Sequence, residues 1–124
     1  MKAAAFPRRR RLTTGRDYRR VFAERDRIPG RFFVLALAPG TDARLGLAVG
    51  KRYCRRAVDR NRVKRVAREW FRRRLVYLDG LEIVCSVRRG VTTASNDALY
   101  ADLERLGRRA VQRAGAGSAA RQDA

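Results

Sequence analysis

Apolar positions recur along this chain with two different periods, and the changes of period mark its elements. Thr14-Gly15-Arg16-Asp17 reads as a variant capping box, and Tyr18, Val21 and Phe22 follow at i, i+3, i+4 on one face of a short helix. Arg25 to Arg31 reads as a polar loop with a turn at Pro29-Gly30. Two apolar runs come next, Arg31 to Ala38 (RFFVLALA) and Arg44 to Val49 (RLGLAV). Pro39-Gly40-Thr41-Asp42 between them predicts an antiparallel hairpin. From Ala57 to Leu75 the period returns to that of a helix, with Val63, Val66, Ala67, Trp70 and Phe71 on one side. After a turn at Asp79-Gly80, Leu81, Ile83, Cys85 and Val87 alternate with Glu82, Val84 and Ser86 as in a strand. Ser95 or Asn96 then caps a last helix striped by Leu99, Leu103, Leu106 and Ala110.

This order, helix, strand, strand, helix, strand, helix, predicts an α+β (α/β) two-layer sandwich: a mixed sheet with helices packed on one face. The segmentation is a basic, flexible arm over 1–11, a single domain over 12–114, and a disordered tail over 115–124, where Ala, Gly, Ser and Gln predominate. At 124 residues and 45% hydrophobic content, one modest core is expected.

Charge changes the picture of the middle helix. The chain carries 31 Lys and Arg against 12 Asp and Glu, a formal charge of +19. Lys2, Lys51 and Lys64 are its three lysines, so 31 − 3 leaves 28 Arg, a bias toward forked contacts with phosphate and stacking on bases. Opposite the apolar stripe of Ala57–Leu75 stand Asn61, Lys64, Arg65, Arg68 and Arg72, with only Asp59 and Glu69 as acids in the helix. A solvated helix face usually mixes charges for i, i+4 pairing, so this one predicts a polyanionic partner. Arg60 projects toward the apolar side in the first turn, and the reading sends it into a groove beside the helix.

Few classes of chemistry remain. The chain has no His, so the commonest general base and metal ligand is missing. The acids are scattered; Asp59 and Glu69 point different ways, and no metal site in the protein is expected. Cys54 and Cys85 form neither a disulfide framework nor a metal motif, and Gly46 and Gly50 lack the spacing of a nucleotide-binding loop. No apolar run approaches ~18 residues and no apolar stretch follows the basic start, so neither a membrane span nor a secretory signal is expected and the cytoplasm is.

Arg60-Asn61-Arg62, followed by Lys64-Arg65 and Arg68-Glu69, is similar to the RNR signature of the bacterial ribonuclease P protein family. Arg44 to Arg52 (RLGLAVGKR), the Ala57-Val58 lead-in, Phe6-Pro7-Arg8 with Arg11-Leu12, and Asp17-Tyr18 with Val21-Phe22 resemble the same family in the same order, over roughly 6–90. The resemblance implies a ribosomal-protein-like fold with a left-handed βαβ crossover, where general rules favour the right hand. It also implies a protein that assists a catalytic RNA in removing the 5′ leader of precursor tRNA, an endonucleolytic reaction using Mg²⁺ handled by the RNA. The implied partners are that RNA and precursor tRNA, with no small-molecule substrate.

Two surfaces follow from the resemblance. Arg62, Lys64, Arg65 and Arg68 with Asn61 would dock on the catalytic RNA, extended by Arg52, Arg55 and Arg56. Tyr18, Phe22 and Phe33, with Arg60, Arg11 and Lys51, would line a cleft for the single-stranded leader, where aromatic faces stack on any base and cations follow its phosphates. Ala36 stands where some members of the family have a Tyr facing the leader. Two other readings share part of this pattern. A structural RNA binder such as a ribosomal protein would have the charge without the ordered RNR series, and a protein-only nuclease would need clustered acids.

Overall fold

The computed structural model describes residues 8–123, with side chains through residue 115. Thr14 caps α1 (Gly15–Ala23): its hydroxyl accepts the Asp17 N–H at 3.1 Å, satisfying one of the donors a helix start leaves open. Strands β1 (Asp26–Pro29), β2 (Phe33–Pro39) and β3 (Arg44–Ala48) precede α2 (Ala57–Arg73). Strand β4 (Leu81–Val87) and α3 (Asn96–Asp123) complete the order. The Ser95 hydroxyl accepts from Ala98 N–H, so Ser95 is the cap of α3.

The α+β class holds, and three details differ from the expectation. Asp26–Pro29, expected to be loop, is a fourth strand paired antiparallel with β2 from Asp26↔Leu37 to Pro29↔Val34. Only Ile28 of its four residues is buried, so there is no period to read. Pro29, which lacks an N–H, is tolerated because β1 is an edge. Arg25, at φ 54°, turns the chain from α1 into this strand.

The second difference is the hairpin. β2 and β3 do not pair; the sheet order is β1-β2-β4-β3, with β4 inserted between them, antiparallel to β2 and parallel to β3. β4 has five consecutive buried residues, the burial expected of a strand flanked on both edges and covered on both faces.

The third is the layering. Helices cover both faces of the sheet, not one. Phe33, Leu35, Leu37, Leu45, Ile83 and Cys85 point to the main core, which they share with Val63, Ala67, Trp70 and Phe71 of α2 and Leu99, Leu103 and Leu106 of α3. Ala36, Ala38 and Val84 point the other way, onto Leu12 and Val21 with Tyr18 and Phe22 of α1. The alternation of large and small side chains along β2 explains the distribution, since the alanines let α1 lie close on its face. Where α2 crosses α3, a Cβ on Gly107 would come within 2.7 Å of the Trp70 ring, so glycine sets that approach.

Backbone pairing also reaches into the segment expected to be an arm. Residues 1–7 of that arm lie outside the described residues; Arg8–Arg10 form a 3-10 turn, Arg11 bridges to Leu45, and Leu12 N–H donates to the Leu45 carbonyl at 2.9 Å. The α3 backbone continues as helix to Asp123, through the stretch for which composition predicts disorder; its Ala content favours helix. Among the described residues no helix is long and apolar enough to cross a membrane. Both cysteines are buried and free, and burial pushes both thiols up, that of Cys54 with a further push from nearby Asp59.

Candidate nucleic-acid interface

The surface chemistry of this chain is decided by where its acids stand. Glu82, at 5% exposure on β4, accepts from Arg20 of α1 and from Arg44 of β3, and Asp17 lies 3.5 Å from both guanidinium groups. Partial burial raises the Asp17 carboxyl, but the Thr14 hydroxyl, Arg44 and Arg20 outweigh it and leave it below the ordinary carboxylate range. Glu69 pairs with Arg72 and Arg73, and the Arg72 hydrogen bond chiefly holds its carboxyl low. Glu104 pairs with Arg74, Asp102 with Arg105, and Asp26 with Arg113. The acids thus neutralise the C-terminal end of α2, the α1–β4 contact and α3.

The outward row of α2 and the loop before it are left bare. No ion pair among the described residues uses Lys51, Arg52, Arg55, Arg56, Lys64, Arg65 or Arg68. Asn61, Arg65 and Arg68 are exposed and Lys64 half-buried, because α2 turns Val63, Ala67, Trp70 and Phe71 into the core and this row outward. Arg72, expected in the same row, is engaged by Glu69. Lys51, Arg52, Arg55 and Arg56 are exposed in the connection from β3 to α2, where the Arg52 guanidinium lies 5.3 Å over the Tyr53 ring.

The RNR triplet divides. Asn61 faces solvent, whereas both arginines reach back to the protein. Arg60 Nη1 donates to the carbonyls of Cys54 and Arg55, at 2.9 and 2.8 Å. Arg62 donates through Nη1 to the Ala94 carbonyl and Asn96 Oδ1, and through Nη2 to the Thr92 carbonyl. Arg60 thus turns back to the loop before α2 and not into a groove beside the helix, and Arg62 turns toward the segment before α3.

The aromatic positions also separate. Phe33 is fully buried in the main core, on the sheet face opposite α1, and cannot line a cleft at α1. Phe22 is half-buried under α1 with the Arg27 guanidinium 5.1 Å from its ring centre. Ala36 is buried beneath α1, so a larger residue there would compete with the helix for space.

Tyr18 lines a small cleft of about 140 Å³ between the start of α1, the edge of β3 and α2. Arg11, Leu47, Lys64 and Arg68 line it with Tyr18. Lys64 and Arg68 therefore serve the groove as well as the open face, and Lys51, Arg60, Phe22 and Phe33 do not line it. The Tyr18 ring lies on Gly46, where an added Cβ would stand 2.8 Å from the ring. Its hydroxyl accepts from Leu47 N–H at 2.9 Å and donates to the Leu47 carbonyl at 3.2 Å. β3 is an edge strand, so this phenol satisfies backbone groups that a further strand would otherwise pair. The hydroxyl is engaged by the protein, and the ring is what remains for a ligand.

Sequence reasoning missed two features. Arg89 shares a cleft of about 610 Å³ with Arg52, Arg55 and Arg56, across the start of α2. Its only signal in the sequence is the pair Arg88-Arg89 after β4. Asp102 is a fully buried carboxylate that accepts from three successive N–H groups, those of Arg31, Phe32 and Phe33, at 2.9 to 3.1 Å. Nothing local in the α3 sequence distinguishes it from a surface acid.

Comparison with known proteins places this geometry. The family described as Ribonuclease P matches residues 6–111. The ribonuclease P protein component of Thioalkalivibrio sulfidiphilus is 41% identical over 103 residues, covering 82% of this chain and 86% of that protein. That of Azoarcus is 42% identical over 98 residues, covering 77% and 82%. Among solved structures, the RNase P protein of Thermotoga maritima superposes with a TM-score of 0.71 at 29% identity, covering 80% of this chain and 96% of the other. The Staphylococcus aureus protein gives 0.72 at 25% identity, covering 77% and 90%.

Proposed function

This chain belongs to the ribonuclease P protein family, and on that premise we propose that it docks on the family's catalytic RNA through the bare cationic row of α2 and holds the single-stranded 5′ leader of precursor tRNA at the Tyr18 groove. The observation that carries the reading is the segregation of charge: among the described residues, acids pair with arginines on three other parts of the surface and leave Lys64, Arg65 and Arg68 without a carboxylate partner. Two polyanions repel, and a protein that neutralises phosphates on both and releases their counterions lowers the cost of bringing them together. The endonucleolytic step, hydrolysis at the mature 5′ end, is in this reading the RNA's, as is the Mg²⁺ it uses. Asp17 and Glu69, beside the proposed surfaces, are committed to arginines and are poor candidates for ligating a cation.

The decisive assay is cleavage of precursor tRNA by a bacterial ribonuclease P RNA at low Mg²⁺, with and without the chain. Stimulation that is larger for substrates carrying a leader is expected. Tight RNA binding without stimulation would instead make the chain a structural RNA binder.

Tyr18 separates the two surfaces. Tyr18→Ala is expected to weaken precursor binding relative to mature tRNA by about tenfold, one stacked base, while leaving assembly with the catalytic RNA unchanged. Tyr18→Phe keeps the ring and exposes the Leu47 N–H and carbonyl; it should cost about 1 kcal/mol of stability with the leader preference retained. Equal loss of both binding activities in Tyr18→Ala would sink the two-surface assignment.

A further inference from the structure

We propose that Arg60 and Arg62 are positioning residues that assemble a phosphate-binding bay from two loops, and are not themselves phosphate ligands. The inference rests on the RNA-binding reading above. The two residues lie two positions apart on α2, roughly 200° around its axis, and so leave the helix in different directions. Arg60 fastens the loop before the helix by its Cys54 and Arg55 carbonyls. Arg62 fastens the segment before α3 by the Thr92 and Ala94 carbonyls and the Asn96 side chain, spending both terminal nitrogens.

Those two loops are the walls of the 610 Å³ cleft. One supplies Arg52, Arg55 and Arg56; the other supplies Arg89, Thr92 and Thr93. Four guanidinium groups facing one opening repel each other and would spread apart on unfastened loops. Bonds from the helix to backbone carbonyls hold both walls without using any of the bay's own donors. Within its wall, Thr93 folds back on the Gly90 carbonyl through both its N–H and its hydroxyl, and Gly90 turns at φ 94°. This wall is short and locally tied, with Val91 seated in the main core, and Arg62 ties the stretch after it, Thr92 to Asn96, to the helix. The bay fits phosphates of a folded RNA, since four arginines line it and only Asp59 among its lining residues is acidic.

The test uses the full chain and in-vitro-transcribed bacterial ribonuclease P RNA, below the unfolding range of every variant. A phosphate contact made through charge alone would tolerate Lys in place of Arg; a clamp would not, because one ammonium cannot span acceptors reached by separate nitrogens. Arg62→Ala and Arg62→Lys are both expected to bind the RNA about tenfold more weakly. Combined with Arg89→Ala, the Arg62→Ala loss should shrink at least about threefold, since the bay is already disabled; combined with Arg68→Ala, the losses should multiply. Hydrogen exchange at the Val91 and Thr93 amides should quicken in both Arg62 variants.

Full binding by Arg62→Lys with loss only in Arg62→Ala would show a direct charge contact and overturn the proposal. Faster exchange with unchanged RNA affinity in both variants would reduce Arg62 to a purely structural role and overturn it equally. Failure of the unaltered chain to bind the RNA would instead remove the RNA-binding reading, and this inference with it.

Discussion

Asp102→Ala is expected to lower the unfolding free energy by about 4 kcal/mol, the largest loss for any single polar substitution in this chain. The carboxylate sits fully buried on α3 and receives the N–H groups of Arg31, Phe32 and Phe33, the residues that lead into β2. Alanine leaves these donors with no acceptor; each buried unsatisfied N–H costs about 1–3 kcal/mol, moderated by water entering near the exposed Arg31. Asparagine should lose most of the same energy, because it has one acceptor oxygen and turns an N–H₂ group toward the remaining donors. Arg105→Ala removes the exposed partner of the same carboxylate and should cost under about 1 kcal/mol. Urea unfolding followed by circular dichroism measures all three. An Asp102→Ala variant within about 1 kcal/mol of the unaltered chain would mean that the entry to β2 does not depend on this carboxylate.

The second large effect is on binding. Replacing Arg65 and Arg68 together with Glu is expected to weaken association with the catalytic RNA by about a hundredfold or more at moderate salt. It should also flatten the dependence of log K on log salt by roughly one to two, because two phosphate contacts are removed and two repulsions added. Both residues are exposed and in no ion pair among the described residues, so stability should be nearly unchanged. Arg72→Glu, Arg73→Glu is the control of equal charge change on the same helix. Those arginines already face Glu69, and their loss should affect binding less. Equal losses in the two double variants would show that net charge, and not the bare row, governs docking. Salt titrations by filter binding or fluorescence anisotropy distinguish the cases.

Much of the local architecture is legible in the chain. The Thr14 cap, the α1 face of Tyr18, Val21 and Phe22, the α2 stripe and the Ser95 cap all depend on residues within a few positions of each other. The exposure of Asn61, Arg65 and Arg68 follows from the same stripe, since a helix that turns Val63, Ala67 and Trp70 inward must turn its other side outward. The ordered RNR series pointed to the family for the same reason: it is a local pattern.

What the sequence by itself determined about this protein is therefore its elements other than β1, its cationic helix face and its family. Only the tertiary structure decided that β4 enters between β2 and β3, that α1 lies on the face of the sheet opposite α2 and α3, and that Phe33 belongs to the core and not to a cleft. It also decided the direction of Arg60 and Arg62, the engagement of the Tyr18 hydroxyl by Leu47, and the capture of three N–H groups by Asp102. The physical reason is one of range. Periodicity and caps report interactions within a turn of helix or a pair of strand residues. Strand order, and the partners of a long side chain or a buried carboxylate, are chosen among groups brought together from distant parts of the chain: Asp102 meets a backbone segment some 70 positions away.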